Sequence, residues 1–146
     1  MRKVLCLLII FLLVGCSNSK LTCTKSIEDN GLLVEEVITI KFKKDLMNIV
    51  NLDIKSKATS DIIKENWSLF VDTVNNQYLN NNSQGIDIKT SSDMENYLHN
   101  ILINMDINNV SRDVLEKYEL EELLDLKDSN YSDIKNSLEI DGYVCK

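Results

Sequence analysis

The feature that most constrains the fold is the alternation of apolar and polar residues over positions 21–57. Asn30-Gly31 divides this segment, and the dipeptide is a strong hairpin signal because both residues tolerate a positive φ. From Leu32 to Phe42 the even positions are mostly apolar, and after Lys43-Lys44-Asp45 the alternation resumes from Leu46 to Lys57. The pattern predicts three antiparallel strands with one face towards a core and the other towards water.

The period of the apolar residues then changes from two to between three and four. The residues that recur at this spacing are Ile63, Trp67, Phe70, Val71, Val74 and Tyr78. They predict one long amphipathic helix that is capped by Ser60 or Asp61 and packs on the sheet. The aromatic residues Trp67, Phe70 and Tyr78 could instead form the walls of a ligand groove between helix and sheet.

Residues 97–107 fit two patterns, because their apolar positions match both a period of two and one face of a helix. A strand is preferred, since the segment is rich in β-branched residues. The preceding Ser91-Ser92-Asp93 indicates a turn, and Ile86 and Ile88 predict a short strand before it. We therefore expect a second hairpin here.

Two shorter helices are expected near the C-terminus. Ser111 can cap the first, which could extend through Leu124. The second follows Asn130, with Ser132 as its cap and Gly142 placed to end it. Both are predicted from apolar residues that recur at helical spacing.

Together these elements predict an α+β fold in a single domain over residues 21–146. The antiparallel sheet has about five strands and is hairpin-rich in its N-terminal half. One long amphipathic helix packs on it, and two shorter C-terminal helices follow. A chain of this length can build one modest core.

An export signal is predicted before the domain. Two cations precede an apolar run of 11 residues, Val4 to Val14, about half of the roughly 20 residues that cross a bilayer. This arrangement predicts a signal peptide over residues 1–15. Leu13-Val14-Gly15-Cys16 resembles the bacterial lipobox, which implies that Cys16 carries a diacylglycerol and that residues 16–20 are a short tether. An ordinary secretory signal beside a chance cysteine is the alternative.

The location that we expect for the domain, the extracytoplasmic face of a cell membrane, determines the redox state of its cysteines. Cys6 leaves with the signal and Cys16 is lipidated, so Cys23 and Cys145 remain in an oxidising compartment. Our hypothesis is that they form a disulfide. Two buried free thiols are the alternative.

Three segments together resemble a known family: Leu21-Thr22-Cys23-Thr24-Lys25, the Asp29-Asn30-Gly31 hairpin and the closing Asp141-Gly142-Tyr143-Val144-Cys145-Lys146. They are similar to small lipoproteins of Gram-positive bacteria akin to the YehR-like family, which carry a lipobox, a Cys-Thr-Lys first strand and a Gly-aromatic-x-Cys ending. The resemblance implies the Cys23–Cys145 pairing and a strand at 97–107. It implies no activity, substrate or catalytic residue.

Catalytic signals are absent from the sequence. His99 is the only histidine, and we interpret it as a surface or edge-strand residue. No zinc spacing occurs. The acidic segment Asp125–Asn130 is the nearest calcium candidate, but Lys127 stands where a ligand belongs, so a solvated helix face is favoured. We predict no catalytic residue, no cofactor and no metal site.

Charge narrows the possible partners. The net charge of the chain is −7, and loss of Arg2 and Lys3 with the signal takes it to −9. Such a charge repels nucleic acid and anionic lipid headgroups.

The function expected from the sequence is that of a non-enzymatic, lipid-anchored surface protein that binds an envelope protein or peptide. The alternative is a small-ligand or Ca²⁺ binder that uses the groove between helix and sheet.

Overall fold

A computed structural model describes residues 19–78, 83–118 and 120–146, so the predicted signal peptide and Cys16 lie outside the described residues. The fold is α+β and is built on an antiparallel sheet in the order β4-β5-β3-β2-β1-β6. Its strands are β1 (Lys20–Asp29), β2 (Leu32–Lys43), β3 (Leu46–Ala58), β4 (Ile86–Asp93), β5 (Leu98–Asp106) and β6 (Val144–Cys145). The described helices are α1 (Asp61–Glu65), α2 (Trp67–Tyr78), α3 (Arg112–Lys117), α4 (Glu122–Asp125) and α5 (Tyr131–Ile140).

The three N-terminal strands confirm the prediction from alternation. Asn30 and Gly31 both have positive φ, 50° and 85°, and close the β1–β2 hairpin. Lys44 and Asp45, at 54° and 66°, close the β2–β3 hairpin in the same way. The strand predicted within 97–107 is also confirmed, because β5 pairs with both β3 and β4.

The prediction of about five strands is wrong, because the described residues form a sheet of six. The additional strand is β6, which is too short to show a periodicity of its own. Its Cys145 pairs directly with Cys23 of β1, and the two form a disulfide. Tyr143 adds a contact beside this junction, because its hydroxyl donates a 2.5 Å hydrogen bond to Glu36. Burial raises the pKa of the Tyr143 phenol.

The prediction of one long amphipathic helix is also wrong, because the segment is divided into α1 and α2 at Asn66. The Asn66 side-chain amide donates to the carbonyl oxygen of Ile62 at 2.8 Å, and its backbone N–H donates to the carbonyl of Ile63. An asparagine that bonds to its own preceding turn competes with regular helix hydrogen bonds. Ser60 does cap α1, as expected, by accepting from the backbone N–H of Ile63.

The C-terminal helices differ from prediction in number and in their caps. Ser111 stands at the N-cap of α3, but its side chain makes no capping hydrogen bond. The helix after Ser111 ends at Lys117 instead of continuing through Leu124, and α4 forms separately. The predicted cap at Ser132 is wrong, because the Asn130 side chain accepts from the backbone N–H of Asp133 at 3.0 Å. In the described part of the chain, none of these helices has the length and apolar character that a bilayer crossing requires.

The core lies on one face of the sheet. Its main cluster combines the inward residues of β1 to β5 with Leu115 and Tyr118 near α3 and with Ile134 and Leu138 of α5. A second, smaller cluster contains Ala58, Trp67 and Val71. The opposite face carries no buried residue in its three central rows, so one side of the sheet remains accessible to solvent.

Candidate functional site

The accessible side of the sheet is a regular grid of side chains, because the strand register places every second residue of five strands on it. We call three of its rows the open face. They are Thr22–Thr39–Asn51–Asn104–Asp87, Thr24–Val37–Asp53–Leu102–Lys89 and Ser26–Glu35–Lys55–Asn100–Ser91.

Asp53 lies at the centre of the open face, in a depression of about 520 Å³. One of its carboxylate oxygens is buried without a hydrogen-bond partner among the described residues, and the other lies 3.7 Å from the Lys55 ammonium nitrogen. Val37 and Leu102, its partners on the two neighbouring strands, place an aliphatic side chain on either side. The depression therefore has one carboxylate at its centre between two apolar walls. Other charged side chains also line it: Lys20, Lys41, Asp87 and Lys89.

Neutral polar side chains surround this carboxylate on the open face. Thr39, Asn51 and Asn104 line the same depression and offer hydroxyl and amide groups that can both donate and accept hydrogen bonds. A second depression, of about 480 Å³, continues across Thr24 and Glu35 towards β6. Such a surface can bind an extended chain by hydrogen bonds with apolar contacts between them.

The three residues predicted as groove walls do not meet in one place. Trp67 is 1% exposed and stacks on Phe70, with ring centroids 4.9 Å apart, in the smaller cluster. Tyr78 stacks instead on Tyr118 beside the main cluster, at 5.7 Å. The structure thus brings two of the three together and separates the third.

The interpretation of His99 as a surface or edge-strand residue is wrong. It is 2% exposed, lies on β5 inside the sheet, and its Nδ1 is 2.8 Å from the hydroxyl oxygen of Ser92. Burial lowers the pKa of the imidazole, and its Nε2 is buried without a hydrogen-bond partner among the described residues. The alternation of β5 contained the signal, because His99 has the parity of the buried Ile101.

This Ser92–His99 pair does not resemble a hydrolytic centre. A catalytic imidazole is normally oriented by a carboxylate on its second ring nitrogen, and Nε2 has no such partner here. The His99 ring is instead nearly perpendicular to the ring of Phe70, at a centroid distance of 6.3 Å. The predicted turn at Ser91-Ser92-Asp93 is wrong, because these residues end β4 and Ser92 is the cross-strand partner of His99. The pair was missed because the two residues are not neighbours in sequence.

No group of three or more His, Cys, Asp or Glu side chains that could hold a metal ion occurs within the described ranges. In the segment considered for calcium, Asp125 is engaged elsewhere, because one of its oxygens accepts from the Arg112 guanidinium at 3.1 Å.

No protein-family model and no curated protein matches this sequence. Two solved structures are similar to it in fold. The NMR structure of a protein from Streptococcus pneumoniae TIGR4 aligns over 88% of this chain and 84% of its own, with a TM-score of 0.59 and 13% identity. The NMR structure of the Escherichia coli YehR protein aligns over 90% of this chain and 93% of its own, with a TM-score of 0.58 and 15% identity. At such identities the likeness shows a shared fold.

Proposed function

We propose that this chain is a YehR-like lipoprotein, held by Cys16 on the extracytoplasmic face of a Gram-positive cell membrane, and that its domain is a non-enzymatic binding module. The observation that carries the binding role is the open face, an accessible side of a six-stranded sheet with a 520 Å³ depression at its centre. The similarity in fold to YehR and the lipobox-like Leu13-Val14-Gly15-Cys16 support the family and the anchor.

The partner is an extended polypeptide of the cell envelope. The open face contains no aromatic residue, so it lacks the stacking surface that bases use. It does offer alternating hydroxyls, amides and charges of both signs, which suit the backbone and side chains of a peptide.

Photo-crosslinking in intact cells tests the binding role. A photo-reactive amino acid in place of Leu102, which is 45% exposed on the open face, should crosslink to a discrete partner. The same residue in place of Leu69, 67% exposed on α2, is the matched control and should not. An added copy of the chain without the photo-reactive residue should compete for the partner and reduce crosslinking. Leu102→Glu in that copy should abolish the competition. Equal crosslinking from both positions would contradict a site on the open face.

Labelling with radioactive palmitate tests the anchor separately. Cys16→Ser should abolish incorporation, whereas Cys6→Ser should retain it, because the predicted signal carries Cys6 away before the mature protein forms. Label that persists in Cys16→Ser would place the lipid elsewhere.

A second candidate function, the binding of a small apolar ligand, is favoured by a groove of about 430 Å³ between α4, α5 and the sheet. Ile38, Leu123, Leu126 and Leu138 line it. Leu123→Lys should abolish the enhanced emission of an apolar fluorophore, while Leu69→Lys should not. A Ca²⁺ titration of the same signal tests the acidic rim, to which Asp125 contributes.

A further inference from the structure

One end of the sheet is basic although the chain as a whole is acidic. We call it the basic end; it comprises Lys20, Lys41, Lys43 and Lys44, all of them exposed. Lys20 and Lys41 are direct cross-strand partners in the β1–β2 register. Like charges directly opposite each other destabilise a sheet. None of the four lysines makes an ion pair with a residue that the structure describes.

The tip of the β2–β3 hairpin adds an apolar residue to this end. Lys44 and Asp45 form the turn, and Leu46 follows with 49% of its surface exposed. An exposed aliphatic side chain next to lysines is the arrangement by which peripheral proteins contact a bilayer interface. The lysine side chains can then keep their ammonium groups at the level of the lipid headgroups.

The acidic residues are concentrated elsewhere. Residues 111–142, which supply the three C-terminal helices, contain ten acidic and four basic residues. The acids near the basic end are Asp45 in the turn, Asp87 near the start of β4 and Asp106 at the end of β5. Asp87 is paired with Lys89 at 3.0 Å, and the Asp106 carboxylate already accepts bonds from its own turn. A surface charge acts over a Debye length of about 8 Å at physiological salt, so a membrane responds to the nearest residues rather than to the net charge.

The predicted anchor is close to this end. Cys16 is four residues from Lys20, and four extended residues span at most about 14 Å. Ser19 is already fixed to the sheet, since its carbonyl accepts from the backbone N–H of Phe42 at 2.9 Å. An acyl chain on Cys16 would therefore hold the basic end next to the headgroups.

We propose that the basic end docks on anionic phospholipid headgroups and, together with the Cys16 lipid, fixes the orientation of the domain on the membrane. The proposal rests on the anchor proposed above. It replaces the repulsion expected from net charge with a local attraction. The bound orientation keeps the open face roughly perpendicular to the membrane, because the strands run away from the basic end.

Depth-dependent quenching tests this orientation. Residues 16–146 contain every described element and would be coupled through Cys16 to a maleimide lipid in vesicles, so that natural acylation is not required. Leu46→Trp reports contact with spin-labelled headgroups, and the buried Trp67 is an internal reference shielded from them. With one-third phosphatidylglycerol we expect quenching of the new tryptophan that 0.5 M salt reverses, and none with pure phosphatidylcholine.

A charge-matched pair of variants separates local from net charge. Lys41→Gln, Lys43→Gln and Lys44→Gln together should reduce the docked population, by about fivefold per lysine. Lys25→Gln, Lys57→Gln and Lys64→Gln change the net charge equally but lie towards the opposite end of the sheet and should leave quenching unchanged. Equal quenching in both lipid mixtures, or an equal effect of the two variants, would overturn the proposal. Loss of palmitate labelling in cells would contradict the anchor alone.

Discussion

The two faces of the sheet share the same strands and the same register but have opposite chemistry. Leu52 and Ile103 are buried partners on the core face, while Asp53 and Leu102, one position along each strand, are partners on the open face. Alternation is therefore sufficient to form the strands, but the core face alone supplies the buried apolar area that stabilises them. The residues of the open face are less constrained by the stability of the fold, because they contribute little to this buried area.

Among changes to the core face, removal of the disulfide should have the largest effect on the free energy of unfolding. Cys23 is fully buried on that face, and its bond to Cys145 spans 122 residues. Cys23→Ala with Cys145→Ala should lower the free energy of unfolding by about 4 kcal/mol, because a cross-link over so long a loop restricts the unfolded chain strongly. Denaturant titration measures this loss, and reduction of the wild-type chain is the control. A loss below about 1 kcal/mol would mean that the rest of the core face suffices.

A cavity at the centre of the core face should have the next largest effect on the free energy of unfolding. Ile103 is 2% exposed between β3 and β4. Ile103→Ala should cost about 2–4 kcal/mol, since deletion of buried methylenes leaves a cavity that the surroundings fill only partly. Equilibrium unfolding in urea checks the value. A cost within experimental error would contradict the assignment of this face to the core.

The buried histidine should make the core face sensitive to pH. The pKa of His99 is lowered in the folded state, mainly by burial, so the unfolded chain binds a proton more readily below pH 6.5. Its contribution to stability is complete well above that value and is lost as pH falls through 6.5 towards the lowered pKa. Because His99 is the only histidine, His99→Asn should flatten the unfolding free energy between pH 7 and 5.5. An unchanged slope in the variant would assign the effect to the carboxylates.

The features that the sequence predicted correctly are those with a local signal. The hairpin at Asn30-Gly31 and the strands beside it follow from turn chemistry and a period of two. The break at Asn66 was missed because the apolar spacing continues across it, while one side-chain hydrogen bond decides the geometry. β6 was missed because a two-residue strand exists only through its pairing with β1.

The open face could be predicted only in part, because the sequence carries local signals but none for the pairing of distant strands. Alternation predicted that one face of the strands would be wet, but it gave no information on which strands would be neighbours. The depression around Asp53 depends on the pairing of β3 with β5, which lie about forty residues apart in sequence and have no local signal for each other. The burial of His99 was available from the parity of β5, whereas its contact with Ser92 required the β4–β5 register.

The smallest effect on stability is expected at the position next to Ile103. Leu102→Ala removes a side chain of similar volume from the same strand, but from the open face, where it leaves no cavity. The free energy of unfolding should therefore change by less than about 0.5 kcal/mol, as for ordinary surface substitutions. The same variant should weaken partner crosslinking from a reporter at Thr39, across the depression, because it lowers one of the apolar walls beside Asp53. A loss of stability comparable to that of Ile103→Ala would show that the open face is covered, since only a packed side chain leaves a costly cavity when it is removed.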